Sequence, residues 1–226
     1  AWRNEPFALF GPQGEVVVVI ERAASRFWGA LTLGAHCNGY VADASGRPVQ
    51  LWVARRALDK PTDPGKLDNL IGSGVPWRQT PFESLVREAW EEAGLTESQV
   101  QGLRAGSVIE LDCDVPEGRQ REWLHVYDLC LPAGLTPMNQ DGEVAEHRLL
   151  PVGQALALAA AGRMTTDASL AVLDFALRHQ LLPPEPQRQL EAALNPLRVP
   201  AALAGRFDRP GGGVAFNSTE ATPQSR

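Results

Sequence analysis

The chain has 226 residues, is 44% hydrophobic and 21% charged, and carries a formal net charge of −6 with a pI near 5.3. That length and apolar content suffice for one substantial core with a small appendage and exclude a wholly disordered chain. The acidic balance excludes a broad nucleic-acid-binding surface, and no run approaches the ~18 apolar residues of a membrane-spanning helix.

Cys37, Cys113 and Cys130 show no short metal-ligand spacing and are too few for a disulfide framework. They read as small buried hydrophobes. Four histidines without ligand spacing give no zinc site. No secretory signal is visible, so the cytoplasm is the default location, although the chain opens at Ala1 without methionine and an upstream piece is to be reckoned with.

In chain order, Phe7–Phe10, the turn Gly11-Pro12-Gln13-Gly14 and Val16–Ile20 predict a hairpin. Residues 1–34 read as the end of a small N-terminal domain. Tyr40–Ala42 and Val49–Ala54 predict two strands about the turn Asp43-Ala44-Ser45-Gly46. Residues 58–66 are too rich in proline and charge for a regular element, and Leu67–Val75 reads as a loop. Thr80, Pro81 and Glu83 form a capping box with proline in the first turn, and Phe82, Leu85, Val86, Ala89 and Ala93 mark an apolar face that stops at Gly94. A helix over 81–93 follows. Ser107–Leu111 and Glu122–Leu131 predict strands; Pro151–Ala161, Thr166–His179 and Pro186–Leu194 predict helices; a mobile tail is expected from about Pro200. Trp52, Trp77, Trp90 and Trp123 are core candidates. The order of elements argues for an α+β fold with helices on the faces of a sheet, its main domain over 35–180 and a C-terminal helix and tail over 181–226.

Glu88, Glu91 and Glu92 stand at i, i+3 and i+4, on one face of the 81–93 helix. Three carboxylates there repel one another, and a hard cation converts that repulsion into a binding site. Mg²⁺ takes oxygen ligands, keeps several waters and joins readily to substrate phosphates. The plainer reading is a solvated face on which Arg87 pairs with Glu91.

The run Arg87-Glu88-Ala89-Trp90-Glu91-Glu92-Ala93-Gly94-Leu95 resembles the helical half of the Nudix box. Two positions depart from the box: Gln79 replaces its first glutamate, and Ser73 replaces its glycine between Gly72 and Gly74. Further runs are similar to the Nudix branch associated with thiamine pyrophosphokinase, among them His36–Val41, Leu51–Arg56, Pro64–Asn69, Val126–Leu129, Asn139–Val144 and Leu173–His179. The resemblance implies an α/β/α sandwich around a mixed sheet. It implies a hydrolase that uses Mg²⁺, or Mn²⁺ in its place, to cleave a small-molecule diphosphate, with thiamine diphosphate or its oxidised derivatives yielding the monophosphate. It also implies Glu88, Glu91 and Glu92 as metal ligands, Glu91 and Glu92 as participants in catalysis, and Arg87 as their brace. A homodimer is a common arrangement of the family; neither nucleic acid nor membrane is an expected partner.

Outside the box, Glu143 is the candidate acid that completes the site, with Glu146 behind it. Lys66 and Arg55 are candidates for phosphate oxygens, Asn69 for a substrate contact or a pinned loop, and Trp77 for stacking on a ring. Surface charge, turn capping and core packing are the plainer roles. His36 lies near a predicted strand, and His125 and His147 are candidate bases. Two competing readings stand beside the leading one: a hydrolase of nucleoside diphosphate derivatives, and a catalytically silent binding module that has lost its first box glutamate at Gln79.

Overall fold

The computed structural model of the chain describes residues 2–205. A two-stranded hairpin, β1 (Pro6–Phe10) and β2 (Val16–Glu21), leads through a short helix, α1 (Ser25–Trp28), into the main sheet. The sheet is seven-stranded and mixed. Its central strand β3 (Leu31–Ala42) runs parallel to β8 (Gly118–Cys130), and β8 pairs antiparallel with β7 (Arg104–Val115). On its other side β3 meets β6 (Ile71–Gly74) along its first half and β4 (Pro48–Arg56) near its end. β4 in turn carries β5 (Leu67–Asp68) and β9 (Val144–Pro151).

The strand period of two sorts the core into two layers. Leu33, Ala35 and Cys37 of β3 point to one face with Trp123 and Tyr127 of β8. There they pack on Leu85, Ala89 and Ala93 of α2 (Pro81–Ala93), with α3 (Glu97–Val100) behind. Leu51 and Val53 of β4 point to the other face, against α4 (Val152–Ala160) and α5 (Thr166–Arg178), where Phe175 and Val172 are fully buried. The result is the expected α/β/α sandwich. α6 (Pro184–Leu194) and α7 (Ala201–Ala204) follow. Among the described residues no helix is long and apolar enough to cross a membrane.

Local chemistry fixes α2. Thr80 Oγ1 accepts from the Glu83 amide at 3.1 Å, and Glu83 Oε2 accepts from the Thr80 amide at 2.8 Å. Gly94 ends the helix in the left-handed region at φ 65°. An added Cβ there would stand 2.7 Å from the Met138 carbonyl oxygen, because the loop after β8 lies against this turn. Met138 N donates to Ala93 O at 2.9 Å and Gln140 N to Glu91 O at 2.8 Å. The loop that carries Asp141 and Glu143 is thereby pinned to the acidic helix.

The structure corrects four expectations. Leu67–Val75 is not a loop: β5 and β6 lie within it, each short because it pairs with only part of a longer strand. β9 was not expected, because its pairing with β4 is non-local and its sequence alternates poorly. Trp90 is 52% exposed and Phe82 47% exposed, since the apolar stripe of α2 is narrower than its composition suggests and Glu92 is buried in their stead. The tail expected from Pro200 begins with α7, and residues 206–226 lie outside the described residues.

Leu85 is fully buried between α2 and the sheet. Leu85→Ala is expected to cost about 2–5 kcal/mol in urea unfolding, because a cavity at this seam cannot collapse without moving the acidic helix.

Candidate active site

α2 carries Glu88 and Glu92 toward β6, one turn apart on one helix face. Glu92 is 7% exposed. Its Oε2 accepts from the Gly72 amide at 2.9 Å, and no cationic side chain contacts it among the described residues. Burial pushes its carboxyl well above the usual carboxylate range, and the Glu88 charge adds to the shift. Glu88 Oε1 receives Arg87 Nη2 at 2.7 Å and Ser73 Oγ at 2.8 Å. Ser73, in place of the box glycine, therefore adds a direct contact to this carboxylate. Arg87 Nη1 reaches Glu91 Oε2 at 2.5 Å, so one guanidinium braces both acids. Glu91 is turned toward Arg87, and among the described residues no three acidic, His or Cys side chains stand as a ready metal cage.

These residues do fit a divalent ion. Glu92 keeps one oxygen free of protein donors, Glu88 keeps its second, and the two carboxylates repel in a desolvated place. Mg²⁺ characteristically takes one or two carboxylates and fills its shell with water and substrate phosphate.

Glu88 and Glu91 open on a cavity of about 300 Å³. Asp141 and Glu143 line it from the pinned loop, and Glu143 is ion-paired to Lys60. Gln79 lines it too, its Oε1 accepting from Ser84 Oγ at 2.9 Å while its amide nitrogen has no protein partner among the described residues. Arg3, Arg22, Arg56 and Lys60 form the cationic wall, with Arg22 ion-paired to Glu5, Arg56 to Asp68 and Lys60 to Glu143. Arg3 feels both burial and neighbouring Arg22, which pull its guanidinium below its usual value. Like charges gathered in an acidic protein mark a place for an anion.

Residues 35–169 match the NUDIX domain family. The chain belongs to that family. Two Arabidopsis thaliana proteins are similar to it: "Nudix hydrolase 24, chloroplastic", 40% identical over 74% of this chain, and "Nudix hydrolase 20, chloroplastic", 37% identical over 76%. The chain spans only 45% and 46% of their lengths. Among solved structures, DR0079 from Deinococcus radiodurans is 27% identical, with a TM-score of 0.54 over 75% of this chain and 97% of that one. The NUDIX domain of Shewanella oneidensis NrtR, solved with ADP ribose, shares the fold at 10% identity and a TM-score of 0.51, covering 68% of this chain and 90% of that one. Nudix hydrolases generally use divalent metal ions.

Of the residues singled out from sequence, this Nudix domain gathers Arg87, Glu88, Glu91 and Glu143 at the cavity, and Glu92 is buried beside them, bonded to the amide of the lining residue Gly72. It does not gather Lys66, which pairs with Asp63 at 2.8 Å, or Arg55, which faces Glu146 across β9 at 3.4 Å. Asn69 is buried and holds His36 Nδ1 at 2.9 Å, the pinning role. Trp77 lies under Arg78, 4.2 Å from ring centroid to guanidinium carbon, with its amide bonded to Pro6 O. Glu146 pairs with Arg55 and Arg148. Neither His125 nor His147 lines the acidic cavity. Burial lowers the pKa of His147, holding it neutral.

Sequence reasoning missed Arg3, Arg22, Arg56, Lys60 and Asp141. Arg56 had a signal: it neighbours Arg55 on a strand, where successive side chains point to opposite faces. Arg3 and Arg22 lie in runs similar to the end of the N-terminal domain of the thiamine-associated branch, but nothing local placed them at the site: the hairpin brings Arg22 in over Gly74, where an added Cβ would stand 2.7 Å from Phe7 Cζ and 3.2 Å from Arg22 Cζ.

Because the folded state holds the Glu92 proton more tightly than the unfolded chain does, Glu92 makes stability fall as pH rises above the ordinary carboxylate range. In EDTA near neutral pH, Glu92→Gln is therefore expected to raise the melting temperature, by about 2–4 °C for each kcal/mol of relief. The gain should vanish in acid, where Glu92 is protonated in both states. Scanning calorimetry at the two pH values checks it.

Proposed function

We propose that this Nudix protein hydrolyses a phosphoanhydride bond in a diphosphate-containing small molecule, using Mg²⁺, or Mn²⁺ in its place, held by Glu88 and Glu92. One observation carries the reading: Glu88 lines a cavity together with Arg3, Arg22, Arg56 and Lys60, and beside it Glu92 is buried on the Gly72 amide without a direct ion pair. A bound divalent ion polarises a phosphoryl oxygen and makes its water more acidic.

The protein groups do the rest. Arg87 and Ser73 orient Glu88, and the Gly72 amide orients Glu92. Arg3, Arg22 and Arg56 hold the diphosphate oxygens and offset the charge that builds on the leaving phosphate. Water oxygen bonds to phosphorus as the bridging P–O bond breaks. The water's proton passes to a carboxylate of the rim, with Glu143 the candidate from the loop and Glu91 from the helix. Lys60 is ion-paired to Glu143.

Within this class we favour thiamine diphosphate or its oxidised derivatives as substrate, with the monophosphate as product. The runs shared with the thiamine-associated branch support it. The expected domain division at residues 34 and 180, the cytoplasmic location and a homodimer belong to the same proposal. The chloroplastic names are said of the plant relatives alone.

The test is phosphate and monophosphate release from thiamine diphosphate, its oxo and oxy forms, nucleoside diphosphates and a sugar nucleotide, with Mg²⁺ and with EDTA. Release from the thiamine compounds only with Mg²⁺ is expected. Glu92→Gln should cut kcat by about a hundredfold or more in folded protein, the order lost when a group acting in the transition state is removed. Release from nucleotides alone would move the substrate to that class. No release from any compound would favour a silent module.

Arg22→Ala is expected to raise KM about tenfold, the loss of one charge-assisted contact. Unchanged kinetics would remove the arginine wall from the site.

A further inference from the structure

Lys60 stands where the acidic and the cationic sides of the 300 Å³ cavity meet. It lies in the segment after β4, which is stitched to the loop of Glu143. Lys60 N donates to Ala57 O at 3.3 Å, and Ala57 N donates to Glu143 O at 2.9 Å. The Lys60 side chain is 13% exposed, and its ammonium pairs with the Glu143 carboxylate.

Charges of both signs act on this ammonium. Burial lowers its pKa, Arg56 pushes the same way, Glu92 opposes, and Arg22 and Arg3 lower it further. Lys60 in turn offsets part of the burial that raises Glu92 and Asp141. One lysine is thus the counterion of Glu143 by contact, and of Glu92 and Asp141 through space.

The neighbouring cation of the wall is held in another way. Arg56 donates through Nε and Nη2 to the Thr62 carbonyl at 3.2 and 3.0 Å, and through Nη1 to Asp68 Oδ2 at 2.9 Å. Asp68 is itself buried, so that guanidinium is fixed. Lys60 has a single side-chain bond among the described residues, to a carboxylate that is 48% exposed. An ammonium has three donors, so two remain uncommitted. An ion pair with so exposed a partner contributes little to stability and parts at small cost. The four-carbon stem lets the charge move.

A divalent ion on Glu88 and Glu92 sets a like charge near Lys60 and takes over the neutralisation of the acids. A diphosphate brings negative charge to the same cavity. Coulomb's law then favours an exchange, with the metal on the carboxylates and the ammonium on a phosphate oxygen.

We propose that Lys60 is the resident counterion of the acidic cavity in the metal-free protein, and that it changes partner from the acids to a phosphate oxygen of the substrate when the divalent ion enters. The proposal rests on the hydrolase reading above and adds a residue that links metal binding to diphosphate binding.

Two titrations with opposite expected signs test it on the full chain. Metal-free protein is titrated calorimetrically with Mg²⁺ alone. Protein in excess Mg²⁺ is titrated with methylenediphosphonate, a diphosphate analogue whose bridge is not hydrolysed. Lys60→Met is expected to bind Mg²⁺ about tenfold more tightly than the wild type, because a cation beside the metal is gone. It should bind methylenediphosphonate about tenfold more weakly, because a charged phosphate contact is gone. A purely structural role would shift both affinities in one direction or neither. Lys60→Gln should reproduce both shifts, and circular dichroism identifies a variant that fails to fold. Weaker or unchanged Mg²⁺ binding in the folded variants, unchanged or tighter binding of methylenediphosphonate, or no Mg²⁺ binding by the wild type would overturn the proposal. Opposite shifts without Mg²⁺-dependent release from any compound of the substrate panel would keep the exchange and remove the hydrolase reading.

Discussion

A carboxylate buried without a direct ion pair is the constraint around which this molecule is arranged. Glu92 lies under β6 with one backbone amide for company and Glu88 one turn away. Desolvation and like charge both oppose its ionisation. A protein keeps such a group where a ligand compensates it, and stability is spent on the arrangement in the meantime. The residues around it hold the strain in place. Ser73 and Arg87 fix Glu88, and Arg87 fixes Glu91. The capping box and Gly94 fix the two ends of the helix that presents all three.

The C-terminal end of that helix also sets the reach of the site. Its last carbonyls, at Glu91 and Ala93, receive amides from the loop after β8. Hydrogen bonds that satisfy a helix end therefore carry Asp141 and Glu143 to the acidic cavity. At the opposite rim, the N-terminal hairpin brings Arg3 and Arg22 over the glycines of β6. The lead-in thus belongs to the site in space although it lies far from the acidic helix in sequence. With Arg56 anchored to Asp68 and the Thr62 carbonyl, it gives an acidic chain a local cationic wall.

Gln79 and Ser73, the two departures from the family's box, are absorbed by the structure in different ways. Ser73 gains a contact to Glu88. Gln79 is held by Ser84 and offers the cavity an amide where a glutamate would offer charge. The carboxylates that fit a metal stand without it.

The sequence by itself determined the helix of residues 81–93 and the acids on it. Every signal for that element is local: a capping box, an apolar stripe, a glycine stop and carboxylates at i, i+3 and i+4. The same holds for α5 and for the hairpin. Tertiary structure decided the rest. β9 forms only because β4 offers it an edge, and β5 and β6 exist only as partners of β4 and β3. Arg56 reaches the cavity and Arg55 does not, because one residue along a strand reverses the face, and the face is set by non-local pairing. Glu92 is buried while Trp90 is exposed, an inversion of what the residue types alone suggest. Helix periodicity is written within a few turns of chain. Which side of each strand and helix meets the cavity is settled by contacts between residues dozens of positions apart.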